Sequence, residues 1–246
     1  MTGGGFDAVC DWPADDAGLE QAARAAGVVG WLHPGTHPGG WSETRALASR
    51  TGGQIALGLH PWWAQDAEPS AIEEVPRALS QADPPIVGEI GLDHLRARDA
   101  ADRARQRAAF EAQLQWAIAQ DRPVILHVVR AGPEVLQVLA NLGLPEAGAA
   151  WHNFVGNSHQ ATRALSLGCH LSVGPLVARP SGHKVRAAVR RCPASRLLIE
   201  TDGRPDALPS VAEAVSDIVG GSAVEVLHRT GYNARRLYRC LLEPHE

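Results

Sequence analysis

Four side chains able to bind a metal or move a proton stand at the ends of short apolar runs. Glu89 lies in Gly88-Glu89-Ile90-Gly91-Leu92-Asp93, and His127 follows Pro123-Val124-Ile125-Leu126. His152 lies in Trp151-His152-Asn153-Phe154, and Asp202 follows Leu198-Ile199-Glu200-Thr201. Two imidazoles with carboxylates suit a divalent cation such as Zn or Mn, with one position open for water. A carboxylate such as Glu89 can bridge two ions, and a bound ion lowers the pKa of its water from about 15.7 toward about 7. Asp202 would orient that water and take its proton. Taken singly, a histidine at a strand end is more often structural, and a carboxylate after a strand more often caps a helix. Spread from position 89 to position 202, the four do chemistry only if a scaffold brings them together.

The surrounding sequence supplies such a scaffold. Strand-like runs are expected near Phe6–Cys10, Val28–His33, Ile55–His60, Ile86–Ile90, Val124–Val128, Ala149–His152, Cys169–Val173 and Leu197–Thr201. Between them lie Ala-, Leu- and Arg-rich stretches of helical length. The clearest runs from Asp102 to Gln120, where Phe110, Leu114, Ala117 and Ile118 recur at i, i+4, i+7 and i+8. Alternating strands and helices imply a parallel sheet with helices outside. Eight units favour an α/β fold of the (β/α)8 TIM-barrel type, one domain over residues 1–246, whose strand carboxyl ends open on one face. The alternative is an open doubly wound sheet holding a nucleotide, but no GxGxxG follows the first strand and no Walker A lysine pattern occurs. The segment after Asp202, ending in a helical Asn233–Leu242 stretch, reads as closing helices.

Composition narrows the partners. The chain has 246 residues with a net charge of −4, so bulk charge would not hold DNA and any phosphate must be captured locally. Lys184 is the sole lysine, which leaves arginine as the main phosphate-binding side chain. Cys10, Cys169, Cys192 and Cys240 form no CxxC pair and no zinc spacing, the pattern of a reduced compartment. With no signal-like leader and no apolar run of membrane-spanning length, a cytoplasmic monomer with no membrane partner is expected.

Gly58-Leu59-His60-Pro61-Trp62, Gly88-Glu89-Ile90-Gly91-Leu92-Asp93, Pro123-Val124-Ile125-Leu126-His127, His152-Asn153-Phe154-Val155-Gly156 and Glu200-Thr201-Asp202 occur in that order. Each is weak alone, but the ordered set resembles the TatD-like deoxyribonuclease family of metal-dependent hydrolases from about Phe6 to Tyr238. The resemblance implies a barrel that binds one or two divalent cations (Mg, Mn or Zn) and hydrolyses phosphodiesters, often in DNA. It implies metal-ligand roles for Glu89, His127, His152 and Asp202, with Glu89 and Asp202 also catalytic. It implies that His60 and Asp93 line the site as supporting or substrate-binding groups.

Two departures stand out. The family's first strand ends in Asp-x-His-x-His, whereas this chain has Asp7-Ala8-Val9-Cys10-Asp11. Val9 cannot ligate, Asp11 can still offer an oxygen, and Cys10 would point the other way along a strand. One metal site is thus weakened while the other, from Glu89, His127 and His152, is complete. Second, the usual His-Ser-Arg becomes His127-Val128-Val129-Arg130, and Asp202 is followed by Gly203-Arg204-Pro205. Arg130 and Arg204 are therefore candidate phosphate-binding residues, each with a solvated-loop alternative. Two basic clusters, Arg96–Arg107 and Arg179–Arg191, could track a nucleic-acid backbone or form solvated helix faces, and Trp62 and Trp63 could stack on a base or pack under a loop. The leading expectation is a phosphodiesterase acting on DNA or a similar substrate. The alternatives are a hydrolase of another ester or amide and a catalytically impaired or non-catalytic relative, for which Val9 is the main support.

Overall fold

A computed structural model describes residues 4–10, 17–203 and 207–239. Eight strands follow one another in chain order: β1 Gly5–Asp7, β2 Val28–Gly35, β3 Gln54–Leu57, β4 Val87–Asp93, β5 Val124–Val129, β6 Ala149–Trp151, β7 Cys169–Val173 and β8 Leu197–Ile199. Every neighbouring pair is parallel. The sheet closes on itself where Ala8 N–H donates to Ile199 O at 3.1 Å and Asp202 N–H donates to Val9 O at 3.3 Å. Asp7 reinforces this seam by accepting from the Thr201 amide at 2.8 Å and from the Thr201 hydroxyl. The result is a (β/α)8 TIM barrel.

The helices wrap the outside: α1 Ala17–Ala25, α2 Trp41–Thr51, α3 Pro61–Ala64, α4 Pro69–Glu73, α5 Val75–Ala82, α6 Ala100–Ala119, α7 Gly132–Leu142, α8 Ser158–Ser166, α9 His183–Val189, α10 Leu208–Val219 and α11 Ala223–Leu237. α6 begins where Asp99 caps it by accepting from the Asp102 amide at 2.8 Å, and its Phe110, Leu114 and Ala117 are buried as the periodicity requires. The expected C-terminal stretch Asn233–Leu242 is the second half of α11, which ends at Leu237; residues 240–246 lie outside the described residues.

Strand alternation divides the core. Phe6, Leu32, Ala56, Ile125, Ala150 and Leu198 form one apolar cluster, while their neighbours Trp31, Leu57, Val124, Leu126, Trp151, Leu197 and Ile199 join a second. Trp31 donates its indole N–H to Thr51 of α2, so the second set faces the helices and the first fills the barrel. β3 stops at Leu57, short of the expected His60, because the chain turns into α3. There His60 is the N-cap and Pro61, which has no N–H to give a ladder, occupies the first turn.

Candidate metal centre

Alternation carries the barrel's inner layer straight into the site. Ile125, Ala150 and Leu198 point inward, so His127, His152 and Glu200, two residues further on, point inward too, one layer higher at the carboxyl mouth. They meet Glu89 of β4. Its Oε2 lies 3.2 Å from His127 Nδ1, 3.6 Å from His152 Nε2 and 3.7 Å from His60 Nε2. Asp202, just past β8, places Oδ1 3.8 Å from His152 Nε2 and accepts from Asn153 Nδ2 at 2.9 Å. Donors about 2.1 Å from one ion stand roughly 3–3.5 Å apart; His127 meets that spacing to Glu89, and His152 and His60 lie just beyond it.

Each imidazole facing Glu89 has a carboxylate behind it. His127 Nε2 lies 3.4 Å from Asp93 Oδ2, and His152 Nδ1 lies 2.8 Å from Glu200 Oε1. A carboxylate behind the ring holds a proton on the far nitrogen, so the near nitrogen can give its lone pair to a cation that displaces its proton. His60 is different. Its Nδ1 accepts from the Trp62 amide at 3.2 Å, so a neutral His60 carries its proton on Nε2 and presents an N–H donor 3.1 Å from His127 Nδ1. The donor atoms of His60, Glu89 and His127 lie within 4.8 Å of one another, but the tautomer separates the donor from the two acceptors.

The electrostatics agree. Burial disfavours charge on Glu89, yet His152, His127 and His60 outweigh it and hold the carboxyl well below the usual carboxylate range. Burial likewise opposes charge on His152, but Glu200 and Glu89 push it up to about 10. His127 is raised against burial by Asp93 and Glu89. Burial, with repulsion from His127, drives His60 down to about 3. The cluster therefore attracts positive charge, which a divalent cation supplies by displacing protons.

Supporting residues not singled out in the sequence hold this arrangement. Glu200 is wholly buried and also accepts from the Asn153 amide at 2.5 Å and from the Ser172 hydroxyl. Gln106 and Gln113 sit in the buried stripe of α6. Gln106 brackets Asp93, accepting from its amide at 2.9 Å and donating to its carbonyl at 3.1 Å. Gln113 does the same for Leu59, at 2.7 and 3.1 Å, and so fixes the residue before His60. Polar residues interrupting an apolar helical stripe were the available signal.

Other candidates fall elsewhere. Arg130 is exposed just past β5 at φ 55. Asp11 and Arg204 lie outside the described residues. Val9 is fully buried in the inner core, and Cys10 donates its thiol to Leu32 O at 3.0 Å, away from the mouth. In the first basic cluster, Arg98 pairs with Asp66 and Asp102 and Arg107 pairs with Glu111. A cleft of about 620 Å³ opens beside Asp202 and is lined by Asn153, Val155, Leu176, Arg179 and Thr201. A cavity of about 610 Å³ lies among Gly148, Gly168, His170, Arg196 and Arg236, at the opposite end of the barrel from the carboxylate–imidazole cluster.

Residues 7–239 match the family model described as TatD related DNase. An uncharacterized metal-dependent hydrolase of Escherichia coli K12, YjjV, is 34% identical over 195 residues, covering 78% of this chain and 73% of that protein. A protein of Pantoea vagans named 3'-5' ssDNA/RNA exonuclease TatD is 29% identical over 246 residues, covering 92% of this chain and 94% of its own length. The crystal structure of YjjV superposes with a TM-score of 0.87 at 29% identity, over 98% of this chain and all (100%) of that one. A TatD-family hydrolase from Entamoeba histolytica shares the fold, with a TM-score of 0.82 at 15% identity over 97% of this chain and 99% of that one.

Proposed function

The chain belongs to the TatD related DNase family of metal-dependent hydrolases, and on that premise we propose that it cleaves phosphodiester bonds in single-stranded nucleic acid. One observation carries the reading: two imidazoles each turn one ring nitrogen toward the same oxygen of Glu89, and each is backed by its own carboxylate. Glu89, His127 and His152 would hold a Mg, Mn or Zn ion, with Asp202 at its open side. A divalent ion there supplies Lewis acidity, lowering the pKa of a water and offsetting phosphate charge.

The chain's own groups do the rest. Asp202, its side chain 39% exposed and oriented by Asn153, accepts the proton of the attacking water. His60 offers its Nε2–H to a non-bridging phosphate oxygen. Glu200 and Asp93 hold the two imidazoles in register. The cleft beside Asp202 gives the strand an approach, with Arg179 on its wall. The exonuclease name of the Pantoea relative supports a single-stranded substrate. Arg130 and Arg204 are proposed phosphate contacts. With Val9 in place of a histidine, one tightly held ion is proposed, and Asp11 adds an oxygen to the weaker second position.

No described helix is long and apolar enough to cross a membrane, and Cys169 and Cys192 are free thiols. These features support a cytoplasmic enzyme, which we propose acts as a monomer. The test is cleavage of single- and double-stranded oligonucleotides by chelator-stripped protein given Mg, Mn or Zn, beside Asp202→Ala. Equal rates in the two proteins would reject the reading. The buried Val9 favours a second reading, a relative without catalysis, and protein that never retains metal above trace would support it. Cleavage of phosphomonoesters, lactones or amides in place of oligonucleotides would shift the substrate class.

A further inference from the structure

Of the eight large apolar side chains exposed among the described residues, four stand in segments that follow strands at the carboxyl mouth: Trp62 and Trp63 of α3, Leu95 and Val155. Trp62 is the one pinned to the metal centre. Its indole N–H donates to Asp93 Oδ2 at 2.5 Å, the oxygen that faces His127 Nε2. Its ring centroid lies 4.9 Å from His60 and 6.0 Å from His127. Even so, 42% of Trp62 remains open to solvent. A large ring fixed by its edge and still this open gains little from packing; it suits a ligand surface.

Arg96 completes the feature. Its guanidinium carbon sits 4.1 Å over the Trp62 ring, and its amide donates to Asp93 Oδ1 at 3.0 Å. Arg98 and Arg107 of the same segment spend their charge on carboxylates, whereas Arg96 has no carboxylate partner among the described residues. Asp93 therefore ties together a metal-facing imidazole, an exposed indole and a cation with no carboxylate partner among the described residues.

We propose that Trp62 and Arg96 form the subsite for the nucleotide next to the scissile phosphate. Arg96 leaves the indole face to pair with the flanking phosphate, and the base stacks on the ring in its place. The proposal rests on the nuclease reading of the neighbouring metal centre and deepens it. A base inside a duplex has both faces covered, so this subsite accepts only single strands and frayed ends.

The test measures binding of a fluorescent, phosphorothioate-linked thymidine pentamer to metal-loaded protein, and of the same pentamer with its terminal base removed. Metal content and melting temperature are measured on every protein. Wild type should bind the abasic pentamer about tenfold more weakly, the effect of one stacked base. Trp62→Ala should bind the intact pentamer about tenfold more weakly and lose the distinction between the two. Trp62→Phe, which keeps a stacking face without the N–H, should retain the distinction. Arg96→Ala should reduce the salt dependence of binding by about one charge. Equal binding of both pentamers by wild type overturns the proposal without any variant, as does a base preference that persists in Trp62→Ala. If wild type cleaves oligonucleotides but shows no base preference, the subsite fails and the nuclease reading stands. If it binds with the base preference but cleaves nothing, the subsite stands and the nuclease reading fails. Absence of any binding overturns both.

Discussion

Glu200 Oε1 stands 2.8 Å from His152 Nδ1, on the far side of the ring from Glu89. A buried carboxylate there is stabilised only if it has donors and a charge partner, and it finds them in Ser172, the Asn153 amide and the ion pair with this imidazole. Glu200→Gln keeps the size but removes the charge that fixes the ring. Metal affinity, measured by competition with a chromogenic chelator, should fall about tenfold to a hundredfold. Unchanged affinity would show that His152 needs no such support.

Asp202 sits at φ 53 and Asn153 at φ 42, both in the left-handed region that most residues avoid. Their pairing at 2.9 Å places a half-open carboxylate at the centre. Asp202→Asn should lower kcat on oligonucleotides by about 10²–10⁴-fold, while Glu89, His127 and His152 keep most of the bound metal. Near-wild-type turnover would assign the proton to another group.

Asp7 gives a pH signature separate from the metal. Burial raises its carboxyl from 3.8 to about 8, against the hydrogen bonds from Thr201 and with help from the nearby Glu200 charge. Between about pH 4 and pH 8 the folded chain holds a proton that the unfolded chain has released. Stability from this group is therefore full below pH 4 and is lost as pH rises through 8, at up to about 1.4 kcal/mol per unit. Asp7→Asn should remove that slope from urea midpoints measured between pH 5 and pH 8. An identical slope in both proteins would place the ionisation elsewhere.

Gln113 satisfies both the amide and the carbonyl of buried Leu59. Gln113→Leu leaves those two groups unpaired, at about 1–3 kcal/mol each. Urea unfolding should show a loss of that order, together with weaker substrate binding because His60 follows directly. A fully stable variant would mean that water replaces the side chain.

Restoring imidazoles at the first strand should rebuild the weaker ion position. The double variant Val9→His, Asp11→His is expected to hold more metal per chain than wild type, by elemental analysis after dialysis. No gain would mean that the match of this strand to the family motif is shifted.

The barrel was legible because eight apolar runs alternate with helical stretches. The strand-end residues were legible because histidine and carboxylate types stand out against those runs. Boundaries shifted where local chemistry intervened, as at His60, whose backbone leaves the sheet to cap α3 ahead of Pro61. Glu200 was readable from parity, since it shares the inward face of Leu198, but its neighbour Asp202 drew the functional assignment. Gln106 and Gln113 act through backbone groups of distant loops, and no local pattern names which loop a buried amide will bracket. The exposed Arg96 differs from Arg98 and Arg107 only in its three-dimensional neighbours, which spacing along the chain does not encode.

The seam between β8 and β1 also sets a condition on how the molecule is made. Asp7 waits for Thr201, 194 residues later in the chain. Until that distant stretch has left the ribosome, the growing sheet carries two unpaired margins, the state most open to sticking to other chains. Completion of the ring is thus a late event of synthesis, with α10 and α11 still to follow, and it depends on the same short segment that delivers Glu200 and Asp202 to the mouth.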